Sequence, residues 1–382
     1  MDEYINAAVE QFRELLCQQA ARQARMEKNA PAKDFARAEK TVIGVIGGDG
    51  IGPIIMAQAL RVLEKLLQEE RESGRVELRQ IDGLTIENRL AQGKAVPEDV
   101  LAQIKACDVL LKGPTTTPKG GSMESANVTL RRELDLYANV RPVCIPEENI
   151  DWTFFRENTE GEYALGSRGI ELPGKLTMDF KVTTDAGTRR IARAAFEYAR
   201  ANGKKSVSIV TKANIMKKTD GMFSRICHEV AADYPEIEAE DWYIDIMTAN
   251  LVNERTRSKF QVFVLPNLYG DIITDEAAQI QGGVGTAGSA NLGDVYAMFE
   301  AIHGSAPRMI ETGRGRFANP TSMFKATEML LRHIGFVEKA NKLNEALHIC
   351  TEVEKKYVIT GHEDGATCSQ FGDYLMQTIE KL

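Results

Sequence analysis

The stretch LPNLYGDIITDEAAQIQGGVG (265–285) decides how this chain is read. It sets Asp271 and Asp275 four residues apart, just after the apolar run QVFVL (261–265), where a strand gives way to a helical pattern. An i, i+4 spacing puts both carboxylates on one helix face. Two hard oxygen donors near a strand end suit Mg²⁺ or Mn²⁺, with positions left for substrate and water. Taken alone, the pair reads first as a helix cap and a solvated first-turn charge. Other parts of the chain reverse that order.

At 382 residues the chain exceeds one ordinary core and fits about two domains. Its 43% apolar and 27% charged content is that of a globular protein. A net charge of −8, from 47 basic against 55 acidic residues, argues against a general nucleic-acid surface. With no apolar run long enough to span a bilayer, a membrane role is not expected. Six scattered cysteines without paired spacing, together with no recognisable leader, read as reduced thiols in the cytoplasm.

Residues 1–40 read as an accessory helix, with Ile5, Val9, Phe12 and Leu16 on one face, followed by a polar linker. That stripe is expected to pack on its own subunit or on a partner. The body opens with the buried strand TVIGVIGG (41–48), the turn DGIGP, and a helix with Pro53 at its start. Gly48, Gly50 and Gly52 suggest a dinucleotide fingerprint, but their G-x-G-x-G spacing and the proline that follows favour a tight turn. Strand 76–82, helix 97–106 and strand 108–113 repeat a βαβ pattern, which implies a parallel sheet covered by helices. The long polar loop 114–127 leaves a strand end, where open α/β sheets bind ligands.

Basic residues then gather: Arg131, Arg132, Arg141 and Arg156 stand with Ser125, Asn127 and, shortly after, Tyr163. In an acidic chain such a set of guanidinium forks suggests a pocket for a multiply carboxylated or phosphorylated small molecule. Residues 163–184 read as short strands and turns, and Ile191, Ala194, Ala195 and Tyr198 as an amphipathic helix. Strand 206–212 brings Lys212 to its end, strand 241–247 does the same for Asp245, and 261–265 leads to the aspartate pair. GGVGTAGSANLG (282–293) reads as a glycine-rich segment between helices, ahead of MFEAIHGSAP (298–307) and three closing helices.

GGDGIGP, KGPTTTP, SANVTLRRELDLYANVRPV, FRENTEGEY, TKANIMKKTDG, NLYGDIITD and HGSAP, in this order, resemble the β-decarboxylating dehydrogenases, the isocitrate/isopropylmalate family. The resemblance covers roughly residues 41–382 and is strongest to the isocitrate-oxidising members. It implies a two-domain α/β fold: a large domain from both chain ends (41–136 and 283–382) and an inserted smaller α/β domain (137–282) whose arm clasps a second subunit. It also implies a homodimer with shared active sites, in which Lys212 and Asp245 of one chain complete the site of the other.

Carried over position by position, Arg131, Arg141 and Arg156 match the groups that hold substrate carboxylates. Ser125 and Asn127 match the pair that meets the third carboxylate of isocitrate. Asp271 and Asp275, with Asp245 of the second chain, match the ligands of Mg²⁺ or Mn²⁺. Lys212 matches the group that assists removal of the hydroxyl proton, and Tyr163 the one that protonates the enolate. Thr115, His303, Gly304, Ser305, Ala306, Pro307, Arg308 and Asn319 fall in the cofactor positions. Arg308 and Met309 stand where NAD users place an acidic residue and NADP users a Lys and a Tyr, and the C-terminal Tyr and Arg of bacterial NADP users find no counterpart near HEDGATC (362–368). NAD is therefore expected, with NADP as the alternative. Isopropylmalate, homoisocitrate and tartrate are the alternative substrates, and a non-catalytic regulatory or binding homologue is the alternative class.

Overall fold

The structure, a computed structural model, describes residues 2–26, 33–35, 37–118, 123–166 and 168–382. Parts of the expected linker (27–32 and 36) and of the polar loop (119–122) lie outside the described residues, as does residue 167. Two compact units emerge, one from Met1–Pro31 with Asp135–Ala277, the other from Ala32–Leu134 with Ala278–Leu382.

In chain order the strands are β1 (Thr41–Ile46), β2 (Val76–Gln80), β3 (Val109–Lys112), β4 (Ala138–Ile145), β5 (Ile150–Glu157) and β6 (Ile170–Leu172). They continue with β7 (Leu176–Met178), β8 (Ser206–Thr211), β9 (Glu238–Tyr243), β10 (Val262–Leu265), β11 (Gly288–Leu292) and β12 (Ala297–Ala301).

In the second unit the strand order is β2-β1-β3-β12-β11. Pairing is parallel except between β11 and β12. Helix Gly52–Leu66 starts with a proline in its first turn and buries Ile55, Met56, Ala59, Val62 and Leu63, the three-to-four spacing of one helix face. The turn before it needs its glycines: Gly48 and Gly50 have φ of +76° and +57°. A Cβ at either would stand 2.2 or 2.1 Å from the carbonyl oxygens of Pro114 and Ser305. The glycines thus let three loops of this unit approach backbone to backbone.

In the first unit the order is β4-β5-β10-β8-β9, antiparallel at β4/β5 and parallel beyond. Its core is aromatic: the Phe154 and Phe263 rings stack at 4.3 Å, and Trp152 meets both edge-on. Buried Trp152 still satisfies its indole N–H, which donates to the Arg257 carbonyl at 3.1 Å. Helix Asp185–Ala201 covers these strands with Ile191, Ala192, Ala195, Phe196 and Ala199, and Thr184 caps it by accepting from the Gly187 N–H. The hairpin β6–β7 pairs antiparallel.

Two sequence expectations are corrected. The strand expected over 241–247 ends at Tyr243, and Asp245 lies in the first turn of helix Ile244–Val252. Alternating apolar residues suggested a strand there, but Met247 and Leu251, one helical turn apart, are the pair that becomes buried. The glycine-rich 282–293 segment is not a connection between helices, since its second half forms β11, antiparallel to β12. Gly288 is forced by packing: a Cβ would lie 2.5 Å from the Ala326 backbone nitrogen. Within this one chain, helix Asp2–Met26 buries Leu15 and leaves Ile5, Val9, Phe12 and Leu16 between 41% and 57% exposed. Of that stripe, Phe12 touches the Phe180 ring, at 5.2 Å.

Truncating Phe263, fully buried between Phe154 and Trp152, is expected to cost about 3–5 kcal/mol through lost transfer energy and an unfilled cavity. Urea unfolding of Phe263→Ala should show a lower midpoint with an unchanged m-value.

Candidate active site

The aspartate pair sits in helix Asn267–Gln281, which starts directly after β10. From β5, fully buried Arg156 reaches this helix. Its Nε and one terminal nitrogen donate to Asn267 Oδ1 at 2.9 and 2.6 Å, and its other terminal nitrogen pairs with Asp271. From the adjacent β4, Arg141 donates to Thr274 Oγ1 at 2.6 Å and to Asp275 Oδ1 at 3.0 Å, with Asp271 at 3.9 Å. The Tyr163 hydroxyl donates to the other oxygen of Asp271 at 2.7 Å, and the Arg156 guanidinium lies 5.3 Å over its ring. Arg141, Arg156, Tyr163, Asp271 and Asp275 are thus brought together in one unit.

Lys212 and Asp245 form a separate pair in that unit, at 2.7 Å, and the hydrogen bond from Lys212 holds the Asp245 carboxyl below its ordinary value. Among the described residues no three His, Cys, Asp or Glu side chains converge on a point. What one chain offers at helix Asn267–Gln281 is two carboxylates, 39% and 60% exposed. That donor set fits Mg²⁺ or Mn²⁺, which take hard oxygen ligands; Mg²⁺ in particular takes one or two protein carboxylates and fills its other positions with water and substrate oxygens.

In the second unit Ser125 precedes helix Ala126–Glu133, which carries Asn127 and Arg131. Thr115 Oγ1 donates to Asn127 Oδ1 at 3.1 Å. Arg131 is 9% exposed and donates to Glu300 Oε1 at 3.2 Å, whereas Arg132 turns outward to Glu124. Glu300 on β12 also accepts from Lys112 on β3 at 3.0 Å and from Asn291 on β11 at 2.9 Å. Burial alone would push this carboxyl up, but Lys112 and then Arg131 outweigh it and hold it down, at about 2.

The expected cofactor loop follows β12. His303 is held below its ordinary value by burial, against a contact with the Gly304 carbonyl that favours the charged ring. Ser305 Oγ meets Thr116 Oγ1 at 2.6 Å, and Ala306 takes a left-handed conformation at φ +44° before helix Pro307–Glu311. Arg308 is exposed on that helix. Asn319 Oδ1 accepts from the Thr321 N–H at 3.0 Å. Asp49 ties the Thr116 loop to the start of helix Ile86–Gln92: one carboxylate oxygen accepts from the Ile86 N–H and the other from the Thr116 N–H, both at 2.7 Å. The Asp49 N–H itself donates to the Pro114 carbonyl at 2.8 Å.

Sequence reasoning missed Lys112, Glu300, Asn267 and Asp49. A signal existed for the first two: VLLK and MFEA each carry a single charge, of opposite sign, in an otherwise apolar strand. A charge buried that way requires a partner.

The family model described as isocitrate/isopropylmalate dehydrogenase matches residues 42–375. A protein named isocitrate dehydrogenase [NADP] from Rickettsia typhi is 40% identical over 318 residues, which cover 81% of this chain and 63% of that protein. A probable mitochondrial isocitrate dehydrogenase [NAD] subunit alpha from Caenorhabditis elegans is 37% identical over 339 residues, covering 86% and 89%. The crystal structure of isocitrate dehydrogenase from Methylococcus capsulatus superposes with a TM-score of 0.79 at 35% identity, covering 89% of this chain and 99% of that one. The chain thus spans less than two thirds of the length of the rickettsial relative.

Glu300 gives the second unit a pH signature. Its folded value, about 2, lies below the ordinary 4.5. Its contribution to stability is therefore complete above about pH 4.5 and is lost as pH falls through about 2. Glu300→Gln leaves the fully buried Lys112 ammonium without a counter-charge and is expected to cost about 3–5 kcal/mol. Denaturant unfolding at pH 7 should show that loss, and the gap to the wild type should close toward pH 2.

Proposed function

The chain belongs to the isocitrate/isopropylmalate dehydrogenase family, and on that premise we propose that it oxidises and decarboxylates isocitrate to 2-oxoglutarate and CO₂, reducing NAD. The observation that carries this reading is the set of two buried arginines, a tyrosine and two carboxylates at helix Asn267–Gln281. Arg141 and Arg156 are 7% and 0% exposed and already pair with Asp275 and Asp271, so in this reading they meet the substrate as those carboxylates turn to the cation, and their charge then acts at low local dielectric. Forked donors of this kind bind carboxylates in fixed orientation.

In this reading Arg131, Arg141 and Arg156 bind substrate carboxylates, and Ser125 and Asn127 donate to the third. An isopropyl group facing those donors leaves them unpaired at about 1–3 kcal/mol each, so isocitrate is preferred over isopropylmalate. Lys212 Nζ assists removal of the C2 hydroxyl proton while hydride leaves C2 for the nicotinamide. The resulting β-keto acid loses CO₂, its bonding pair passing to C3, and the Tyr163 hydroxyl delivers the proton that C3 then takes up. Asp271 and Asp275, with Asp245 of a second copy, would hold Mg²⁺ or Mn²⁺, which supplies Lewis-acid stabilisation of oxyanion charge. The protein acts as a homodimer in the cytoplasm, Lys212 and Asp245 of one copy serving the other.

The preference for NAD rests on charge. Arg308, Arg314 and Arg316 are the cations near the expected cofactor loop, but the Tyr and Arg that bacterial NADP users supply near the C-terminus have no counterpart around residues 362–368, where His362 meets Arg314 at 3.1 Å instead. Thr115, the 303–308 segment and Asn319 line the cofactor position.

Initial rates with isocitrate, NAD or NADP, and Mn²⁺ present or absent, test the reading. Turnover is expected with NAD and Mn²⁺, and a higher kcat/KM for isopropylmalate, homoisocitrate or tartrate would move the substrate. Lys212→Met should lower kcat about 10²–10⁴-fold. Asn127→Leu should reduce kcat/KM for isocitrate about 10- to 100-fold. Reduction of neither cofactor with any of these acids would return the chain to a binding or regulatory role.

A further inference from the structure

The family match begins at residue 42, so helix Asp2–Met26 lies outside it. That helix nevertheless reaches a buried turn of the first unit. Arg22 donates from one terminal nitrogen to Glu160 Oε1 at 3.1 Å and from the other to Thr159 Oγ1 at 3.0 Å. Glu160 is 3% exposed, and its carboxylate also accepts from the Thr184 hydroxyl at 2.6 Å and the Thr184 N–H at 2.9 Å. Space there is tight: a Cβ on Gly187 would lie 2.3 Å from Glu160 Oε1. Glu157, 2% exposed, closes the turn by accepting from the N–H groups of Thr159 at 2.9 Å and Glu160 at 2.6 Å.

This turn connects to the catalytic group by two routes. It runs directly into Tyr163 along the chain. The Glu160 carbonyl also accepts from Asn267 Nδ2 at 3.1 Å, and Asn267 Oδ1 holds Arg156, which pairs with the same Asp271 that receives the Tyr163 hydroxyl. Two buried carboxylates in one turn repel each other, and burial followed by the Glu160 charge pushes the Glu157 carboxyl up, to about 7. Arg190 approaches from helix Asp185–Ala201, but its terminal nitrogens are bound to Asp135 and Thr159. Arg22 is the guanidinium that meets Glu160.

We propose that Arg22 is a positioning residue for Tyr163: from a helix outside the family-matched residues, it clamps the 157–161 turn that leads into the tyrosine. Anchoring of the helix itself is shared with other groups. Leu15 is buried, Gln11 donates to the Gly169 carbonyl at 2.9 Å, and Arg168 donates to Gln18 at 2.8 Å. Loss of Arg22 therefore releases the turn before it releases the helix. The catalytic part of this inference rests on the activity proposed above; the clamp itself does not.

The test compares Arg22→Met, Arg22→Lys and Leu15→Ala in the full chain. Leu15→Ala weakens helix docking without touching Glu160. In Arg22→Met, kcat with isocitrate is expected to fall about tenfold, with KM changed less than about threefold, because the disturbed group acts in the proton transfer rather than in holding substrate. Arg22→Lys should restore part of kcat. Amide hydrogen exchange is read in parallel, and the Thr159 and Glu160 amides should exchange at least about tenfold faster in Arg22→Met than in wild type or Leu15→Ala. If the wild type does not turn over isocitrate, the proposed activity fails while the exchange data still decide the clamp. Unchanged exchange at Thr159 and Glu160, or a kcat loss matched by Leu15→Ala, would overturn it.

Discussion

A guanidinium sealed from water has to find its acceptors inside the protein, and Arg156 imposes that requirement on the first unit. With none of its surface exposed, it needs two fixed acceptors, which Asn267 and Asp271 provide. Both lie in the opening turns of helix Asn267–Gln281, so the charge determines how that helix leaves β10. Gly270 records the closeness of fit, since a Cβ there would stand 2.5 Å from Arg156 Cγ. The four-residue spacing then places Asp275 beside Arg141 on the neighbouring strand. One buried cation thus orients the helix, and the helix presents the acids.

The second unit applies the same constraint with more partners. Lys112 and Arg131 share the carboxylate of Glu300, and Asn291 adds a further donor, so a charge on each of two adjacent strands and one on a helix meet inside the unit. Such a cluster adds little net stability compared with well-packed apolar side chains, but removing one member is costly. Its effect is to fix Arg131 in one orientation. Asp49 acts similarly on backbone, holding the first N–H of helix Ile86–Gln92 and the Thr116 N–H of the loop after β3, while the glycines beside it let the backbones come close.

The aspartate pair and the parallel βαβ order were legible because each is a local pattern whose period or composition carries the information; of the arginines, Arg141 and Arg156 meet at one helix, while Arg131 pairs with Glu300 in the second unit and Arg132 turns outward to Glu124. Lys112 and Glu300 each stand as a lone charge in an apolar strand, but their pairing joins positions 188 apart, so local pattern shows the need for a partner and not which residue it is. Asp245 was misplaced because a short apolar alternation does not distinguish a strand from the first turn of a helix. β11 was missed because glycine and alanine have poor strand propensity, and tertiary packing against helix Thr321–His333 overrode it. The contribution of the N-terminal helix lay beyond local pattern altogether. Phe12 of its apolar stripe meets Phe180, but Leu15 and the polar ends of Gln11, Gln18 and Arg22, which add to the attachment, are not part of that stripe.

Charge balance at helix Asn267–Gln281 also bears on the proposed chemistry. Two guanidinium groups face two carboxylates, so the set attracts a trianion weakly as it stands. Under the proposed activity the same carboxylates take a divalent cation, and whatever share of their charge goes to that cation is withdrawn from Arg141 and Arg156. Cation and anion would then each raise the affinity for the other, by equal factors, as linkage requires. Under the proposed activity substrate selectivity would follow from the same balance: a third carboxylate would meet the donors Ser125 and Asn127, whereas an apolar group in its place would leave them desolvated and unpaired.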